Sequence, residues 1–406
     1  MLAAFNVSAQ QRFPKPEFET GYIQPSPTTP EPRGFAMEYL DVFILFIVLS
    51  LASYFVIKTR SRKSILWLTI FSLIYFGFYR DGCICSVGSL QNITLSLFDP
   101  GYTISLAVLI FFMLPLLFTL FFGRTFCAAV CPLGAIQDLI VTKPARIPDW
   151  LNKVLGFFPY IYLGLAVLFA ATGTDFIICR YDPFVGIFRL NAPFHMIVLG
   201  VSFLLLGLIF ARPYCRVLCP YGVLLNWMSK FSKWHMTITP SDCIDCKLCS
   251  ASCPFDAIDF PNKNIKQDKN QNVRKFIIYA VILPLLVLAG GFSGAKSHLF
   301  LSKAHPDVYL AELLIKHPEL KNDKDNIDIQ AFMESGKSFD QLAEDAVNIR
   351  EKFYLGSTIL GGFLGLVIGL ILLNLLVHRT KLIYEPNKGN CYSCGRCMDY
   401  CPVKKN

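Results

Sequence analysis

Charge is scarce in this chain: Asp, Glu, Lys and Arg supply 17% of its 406 residues against 54% apolar ones, and long stretches carry almost none. That balance excludes an ordinary soluble enzyme and points to a membrane protein. A phosphate-cradling glycine loop, a Rossmann fingerprint and a nucleophile elbow are also absent. Hydride, phosphoryl and acyl chemistry of the chain's own therefore have no sequence basis. No Cys-x-x-Cys-His run exists, which removes covalent haem attachment. The net charge of +9 comes without a basic stripe or nucleic-acid fold signature, so nucleic acid is not an expected partner.

Cysteine, by contrast, is plentiful. Of 15 cysteines, eight fall in two runs: Cys243, Cys246, Cys249 and Cys253 before Pro254, and Cys391, Cys394, Cys397 and Cys401 before Pro402. Both repeat the bacterial ferredoxin spacing of two, two and three, in which the fourth cysteine serves the other cluster. The spacing predicts one [4Fe-4S] centre on Cys243, Cys246, Cys249 and Cys401 and a second on Cys391, Cys394, Cys397 and Cys253. Structural zinc would instead show pairs split by one long gap, and disulfides would need an oxidising compartment.

Seven apolar runs are read as spans, near Met37–Ile57, Ser64–Tyr79, Thr103–Phe122, Phe157–Thr172, Phe194–Ala211, Lys275–Phe292 and Leu355–Val377. Most approach the roughly 20 residues that a bilayer core demands. The basic loop Lys58, Arg60, Arg62 and Lys63 sets the N-terminus outside. Segments 58–63, 123–156, 212–275 and 378–406 then lie inside with 24 Lys and Arg against 9 Asp and Glu, while the remainder holds 14 against 20. Both ferredoxin runs fall on the reducing, cytoplasmic side. Residues 2–9 read either as the tail of a signal peptide or as an exposed N-terminus, with 10–36 outside in both cases.

An internal repeat emerges 88 residues apart: Gly123-Arg-Thr-Phe-Cys127-Ala-Ala-Val-Cys131-Pro132-Leu-Gly134 and Ala211-Arg-Pro-Tyr-Cys215-Arg-Val-Leu-Cys219-Pro220-Tyr-Gly222. Cysteines four apart on one helix would share a face, and the following proline would open a new helix. Arg124, Arg212, Arg216 and two helix N-termini would favour thiolates. Packed about a pseudo-twofold axis, Cys127, Cys131, Cys215 and Cys219 supply the four thiolates of a third iron-sulfur cluster; packing cysteines inherited by duplication are the alternative.

Outside, 80–102 reads as a loop. Cys83, Cys85 and Cys179 there form either a disulfide, Cys85 to Cys179, or a redox site. Arg80, Asp81, Arg180, Asp182 and Arg189 are expected to pair at the interface, or else to hold an anionic cofactor or quinol head group with His195 taking a proton. Residues 294–352 predict a small helical module, with helical spacing over Val308–Ile315 and Phe339–Ile349, and with His298, His305 and His317 on solvated surface.

The motifs around Cys127-Ala-Ala-Val-Cys131-Pro132, Cys215-Arg-Val-Leu-Cys219-Pro220 and the Cys243–Cys253 run resemble the membrane polyferredoxins of the NosR and NapH type, over about residues 64 to 260. The resemblance implies electron transfer across the bacterial cytoplasmic membrane to a periplasmic reductase or its maturation system, with quinol or a cytoplasmic carrier as donor. Two departures matter. The threonine-anchored FMN domain of NosR-like proteins has no counterpart before the first span, and Ser293-Gly-Ala-Lys296 ends in lysine where a hydroxyl is required, so FMN would belong to a partner. The two ferredoxin runs, adjacent in that family, are here separated by two spans and a loop.

The expectation is an all-α polytopic membrane protein with a split dicluster ferredoxin unit. It comprises a periplasmic tether (1–36), a transmembrane core carrying the repeat (37–235), ferredoxin half one (236–274), a transmembrane helix (275–293), a periplasmic helical loop (294–354), a transmembrane helix (355–377) and ferredoxin half two (378–406), with the C-terminus in the cytoplasm. Its function would be one-electron transfer between a cytoplasmic or quinol donor and a periplasmic redox or flavin-bearing partner. The alternatives are a quinol-oxidising subunit, or an assembly or redox-sensing accessory protein.

Overall fold

The computed structural model describes residues 34–82, 86–142, 145, 148–238, 243–261, 269–318, 327–376 and 384–403. It divides into two compact units, one on Phe292–Ile359, the other on Arg33–Gly291 with Leu360–Asn406.

In the larger unit, α1 (Phe35–Tyr54) runs on as a π-helical segment, Phe55–Thr59, and stops at Arg60 in the left-handed region with φ 51°. The Ser61 hydroxyl then caps α2 (Arg62–Ser72) by accepting from the Ser64 N–H at 3.3 Å, and α2 continues π-wound through Leu73–Tyr79. After α3 (Ser86–Phe98), α4 (Leu106–Phe122) starts on the Ser105 cap and ends at Gly123, whose φ of 73° only glycine adopts without strain. The first repeat supplies α5 (Thr125–Ala129) and α6 (Pro132–Ile140). α7 (Asp149–Leu155) and α8 (Phe158–Ala171) follow, then the outer turns α9 (Ile177–Arg180) and α10 (Val185–Phe188), and α11 (Phe194–Ile209). The second repeat forms α12 (Pro213–Val217) and α13 (Pro220–Lys230). The first ferredoxin run carries α14 (Leu248–Ala251) and β1 (Ile258–Asp259), and α15 (Lys269–Leu301) leads out of the unit.

In the smaller unit, α16 (Pro306–Lys316), α17 (Ile327–Glu334) and the start of α18 (Phe339–Leu376) enclose a core of Val308, Leu314, Ile329, Phe332 and Leu342. Both predicted helical stretches fall inside these helices. Glu312 ties it together by meeting Lys316 at 2.6 Å, Lys303 at 3.1 Å and Arg350 at 3.5 Å. His305 departs from the surface position expected for it: it is buried, and its Nδ1 accepts from the Asp307 N–H at 3.2 Å as the cap of α16. The chain returns to the larger unit through β2 (Glu385–Pro386) and α19 (Arg396–Asp399).

Among the described residues the greater part of each apolar run lies on a helix, and four segments are long and apolar enough to cross a bilayer: Phe35–Thr59, Trp150–Ala171, Val281–Ala304 and Phe339–Leu373. α4 and α11 are equally apolar but shorter, at 17 and 16 residues. The protein is thus a largely helical membrane protein. Within the larger unit α15 and α18 meet through backbone: a Cβ at Gly365 would collide with the Leu286 carbonyl, and one at Gly290 with that of Gly361.

The outer-loop reading of 80–102 is corrected by α3, which packs between α4 and α8 with Val87, Leu90, Gln91 and Thr94 buried. Its buried face is half polar, so hydropathy does not rise there. Asp41, in the first span, was also missed; its carboxylate accepts from the Tyr75 hydroxyl at 2.7 Å and pairs with Arg80 at 3.0 Å.

Candidate metal centres

The two ferredoxin runs, about 140 residues apart in sequence, come together through an antiparallel pairing of β1 with β2, Ile258 opposite Pro386 and Asp259 opposite Glu385. The Asn387 N–H extends it by donating to Ala257 O at 2.7 Å. Short helical turns follow the left-handed residues Lys247 and Gly395 in the respective runs.

Two cavities result. One is lined by Cys243, Cys246, Cys249 and Cys401 with Ile238 and Tyr384. The other is lined by Cys253, Cys391, Cys394 and Cys397 with Phe255 and Arg396. Each run therefore sends its fourth cysteine to the other run's cavity. Among the described residues no three His, Cys, Asp or Glu side chains converge closely enough to share a single ion. The thiols instead ring spaces that suit a cubane better than one zinc. Backbone amides already aim at the sulfurs: Ala257 N–H donates to Cys253 Sγ and Ser393 N–H to Cys391 Sγ, both at 3.4 Å. Cys243 and Cys246 are exposed, whereas Cys394 and Cys397 are buried, so the first cavity faces solvent. Burial pushes the Cys391 thiol up to about 12, so ligation must expel its proton.

The third cysteine set sits deeper. Cys131 and Cys219 are the N-caps of α6 and α13, with Pro132 and Pro220 at the first helical positions. The expectation that Cys127 and Cys131 share one helix is corrected, because α5 ends at Ala129 and the chain re-enters helix at Pro132. The second repeat breaks the same way, after Val217. The four thiols are nonetheless neighbours. Burial raises Cys219 well above its usual range, with Cys215, Cys131 and Cys127 adding to the shift, and burial pushes Cys215 up to about 11. At Cys215 and Cys219 burial thus outweighs the arginines and the helix end, and the thiolate preference read from the sequence does not hold for these two thiols.

The repeats exchange their arginines. A Cβ on Gly134 would lie 3.5 Å from Arg212 Nη1, and one on Gly222 3.5 Å from Arg124 Nη2, so each repeat's guanidinium sits against the other repeat's Pro-x-Gly turn. This reciprocity is the mark of a pseudo-twofold relation. Arg124 and Arg212 are 4% and 0% exposed. Arg212 donates to the carbonyls of Cys127 and Ala128; Arg124 donates to Gly389 O at 3.1 Å and reaches Cys127 Sγ at 3.8 Å. Gln137 donates to Cys215 Sγ at 3.4 Å and accepts from the Tyr214 N–H at 3.0 Å. Arg216 turns away to Asn152. Between this set and the second cavity stands Tyr392, its ring 4.1 Å from the Arg124 guanidinium and its hydroxyl donating to Cys215 O at 3.3 Å. Gln137, Tyr392 and the arginine exchange escaped sequence reading; the aligned repeat, which places Gln137 opposite Leu225, held a hint of asymmetry.

On the outer side Cys179 is exposed at α9, and Cys83 and Cys85 lie outside the described residues, as does any bond between Cys85 and Cys179. His195 is exposed. Arg180 pairs with Asp175 at 2.8 Å, and Arg189 donates to Asp81 O at 3.3 Å. Asp182 is buried and accepts from the Phe184 and Val185 N–H groups.

Two family models match, both described as 4Fe-4S binding domains. One covers residues 104–157 and 192–239, which contain the two repeats, and the other residues 236–259, the first ferredoxin run. An uncharacterised protein of Methanocaldococcus jannaschii is 26% identical over 45% of this chain and 77% of its own length. The putative electron transport protein YccM of Escherichia coli is 26% identical over 41% of this chain and 52% of its own, and the regulatory protein NosR of Pseudomonas aeruginosa 28% identical over 46% and 28%. The chain thus spans about half of YccM and less of NosR. No solved structure matches. Iron-sulfur binding domains on both repeats and on the first ferredoxin run, set among helices apolar enough to cross a bilayer, make this chain similar to membrane ferredoxin-type electron-transport proteins of the NosR kind.

Proposed function

We propose that this protein carries electrons one at a time between the two faces of a bacterial inner membrane through three [4Fe-4S] centres. Cys243, Cys246, Cys249 and Cys401 hold the first, Cys391, Cys394, Cys397 and Cys253 the second, and Cys127, Cys131, Cys215 and Cys219 the third. The observation that carries the reading is the exchange of fourth cysteines between the two cavities, which supports ferredoxin-type ligation of both. The exposed first cavity would meet a cytoplasmic carrier, with quinol as the alternative donor, and the outer face would serve a periplasmic redox or flavin-bearing partner. FMN, if used, resides on that partner. The domain limits given above, seven spans, an outside N-terminus and a cytoplasmic C-terminus complete the proposal.

When bound, iron-sulfur clusters supply reversible one-electron storage. The chain's own contribution is to hold the sites in line, with Tyr392 packed between the second and third, and to exclude water from the deeper two. The printed name of NosR, a regulatory protein, keeps a redox-sensing accessory role as the second reading. Iron and acid-labile sulfide on anaerobically purified protein test the count: about twelve of each supports three centres and about eight supports two. Zinc in place of iron defeats the proposal. Electron delivery to the outer face in sealed vesicles separates conduction from sensing.

A further inference from the structure

We propose that Arg124, Arg212 and Gln137 make the deep centre on Cys127, Cys131, Cys215 and Cys219 the highest in potential of the three, and hence the sink into which the ferredoxin pair empties. The inference rests on the three-centre reading above.

Charge compensation carries it. Arg124 and Arg212 are buried, and each has an Nε without a hydrogen-bond partner. Among the described residues no carboxylate lies in ion-pair range of Arg124, while Arg212 shares Asp138 with Arg62 and Arg396. Positive charge therefore accumulates in a low-dielectric region where one carboxylate, Asp138, faces three guanidiniums and Arg124 adds a fourth cation with no carboxylate in range among the described residues. A cubane ligated by four thiolates is an anion whose negative charge grows by one on reduction, and buried cations favour that reduced form. N–H groups aimed at sulfur act in the same sense, and here Arg124 addresses Cys127 while Gln137 addresses Cys215. The N-termini of α6 and α13, nine and eleven residues long, add their positive ends at Cys131 and Cys219.

Burial alone works the other way, since it penalises the extra electron. The same low dielectric strengthens the attraction of that electron to fixed cations, and two guanidiniums address it. The first ferredoxin site lacks this surplus, and at the second Arg124 and Arg212 reach Cys391 and Cys394 by charge alone, with no guanidinium hydrogen-bonded to either sulfur among the described residues. The first cavity is solvent-facing and carries Asp245 beside Lys247, and at the second Arg396 is engaged by Asp138 while Asp256 lies within electrostatic reach of Cys253. In each transfer one electron leaves a reduced ferredoxin centre, which returns to its oxidised state, and enters the deep centre; no proton moves and no bond changes.

The test is an anaerobic redox titration of the full chain followed by electron paramagnetic resonance, with iron counted on every sample. Cys131→Ala first identifies the deep centre by the signal it removes. That signal should be the first to appear as the potential is lowered. Arg124→Gln should raise its oxidised-to-reduced ratio at fixed potential tenfold or more, which is 59 mV for one electron, while Arg124→Lys stays within about threefold. Should Arg124→Gln fail to hold iron, Gln137→Leu decides; Leu225 already occupies the equivalent place in the second repeat, and a shift of about threefold in the same direction is expected. A deep centre reduced last, or shifts equal at all three centres, would overturn the inference while leaving three centres intact. Unchanged iron in Cys131→Ala would overturn the third centre itself, and the inference with it.

Discussion

Asp138, in the helix after the first cysteine pair, receives Arg62 at 2.7 Å in an ion pair whose carboxylate is almost fully buried. The same carboxylate meets Arg212 of the second repeat at 3.5 Å and Arg396 of the second ferredoxin run at 3.4 Å. Arg62 also donates to Cys394 O at 2.8 Å. One side chain thus binds both repeats and the C-terminal cysteines into one body. The three arginines hold the Asp138 carboxyl below its ordinary range against the opposing effect of burial. Asp138→Ala would leave three guanidiniums without their counter-charge, and a loss of about 3–5 kcal/mol is expected. Denaturant unfolding would measure it, and limited proteolysis should release the segment around 384–403 before the helices are cut.

The exchange of fourth cysteines makes a prediction that iron analysis can read directly. Cys401→Ala and Cys243→Ala should each remove about four irons from the same centre, and combining them should remove no more. Cys253→Ala should instead match Cys391→Ala. If Cys401→Ala behaves like Cys391→Ala, each run closes its own site and the crossed arrangement is wrong.

How far the sequence goes differs from one residue to the next. The two-two-three spacing and the repeat were legible because both are local or periodic. Pro132 and Pro220 marked new helix starts, and the same prolines, lacking an N–H for the preceding turn, also carried the signal that Cys127 and Cys131 could not share a helix. α3 was not legible: its buried face carries polar side chains whose tertiary partners a hydropathy profile cannot see, as where the Ser86 hydroxyl donates to Phe111 O at 2.8 Å and the Gln91 carbonyl accepts from the Ile178 N–H at 2.9 Å. Nor was the diverged pair Asp138 and Asn226, 88 residues apart. In the structure each holds the C-terminal run, the first through Arg396 and the second by close packing against Gly389. Such roles depend on what the rest of the chain brings alongside.

Close backbone approach between α15 and α18 gives a steric prediction. Gly365 faces the Leu286 carbonyl, which is backbone and cannot rotate aside. Gly365→Ala should therefore cost about 1–3 kcal/mol. Gly362→Ala, whose Cβ would find Val287 at an ordinary 3.8 Å, should be nearly neutral. Thermal unfolding of the purified protein compares the two, and equal losses would show that the helices separate readily.

Asp182 supplies the pH dependence. Burial pushes its carboxyl up to about 6, against the Phe184 and Val185 amides and Arg189, which favour the charged form. In the unfolded chain it titrates near the ordinary aspartate value of about 3.9. Between those two values the folded state binds the extra proton, so stability falls as pH rises from about 4 to 6, and the full penalty of about 3 kcal/mol stands above that range. Asp182→Asn keeps an oxygen to accept from the Phe184 N–H and removes the charge. It should raise the unfolding midpoint at pH 7.5 and flatten the dependence between pH 4 and 6. The measurement is a pair of unfolding series, wild type and variant, across pH 4 to 8. A variant that tracks the wild type throughout would mean that the buried carboxylate is compensated at neutral pH and does not set the stability of the outer turns.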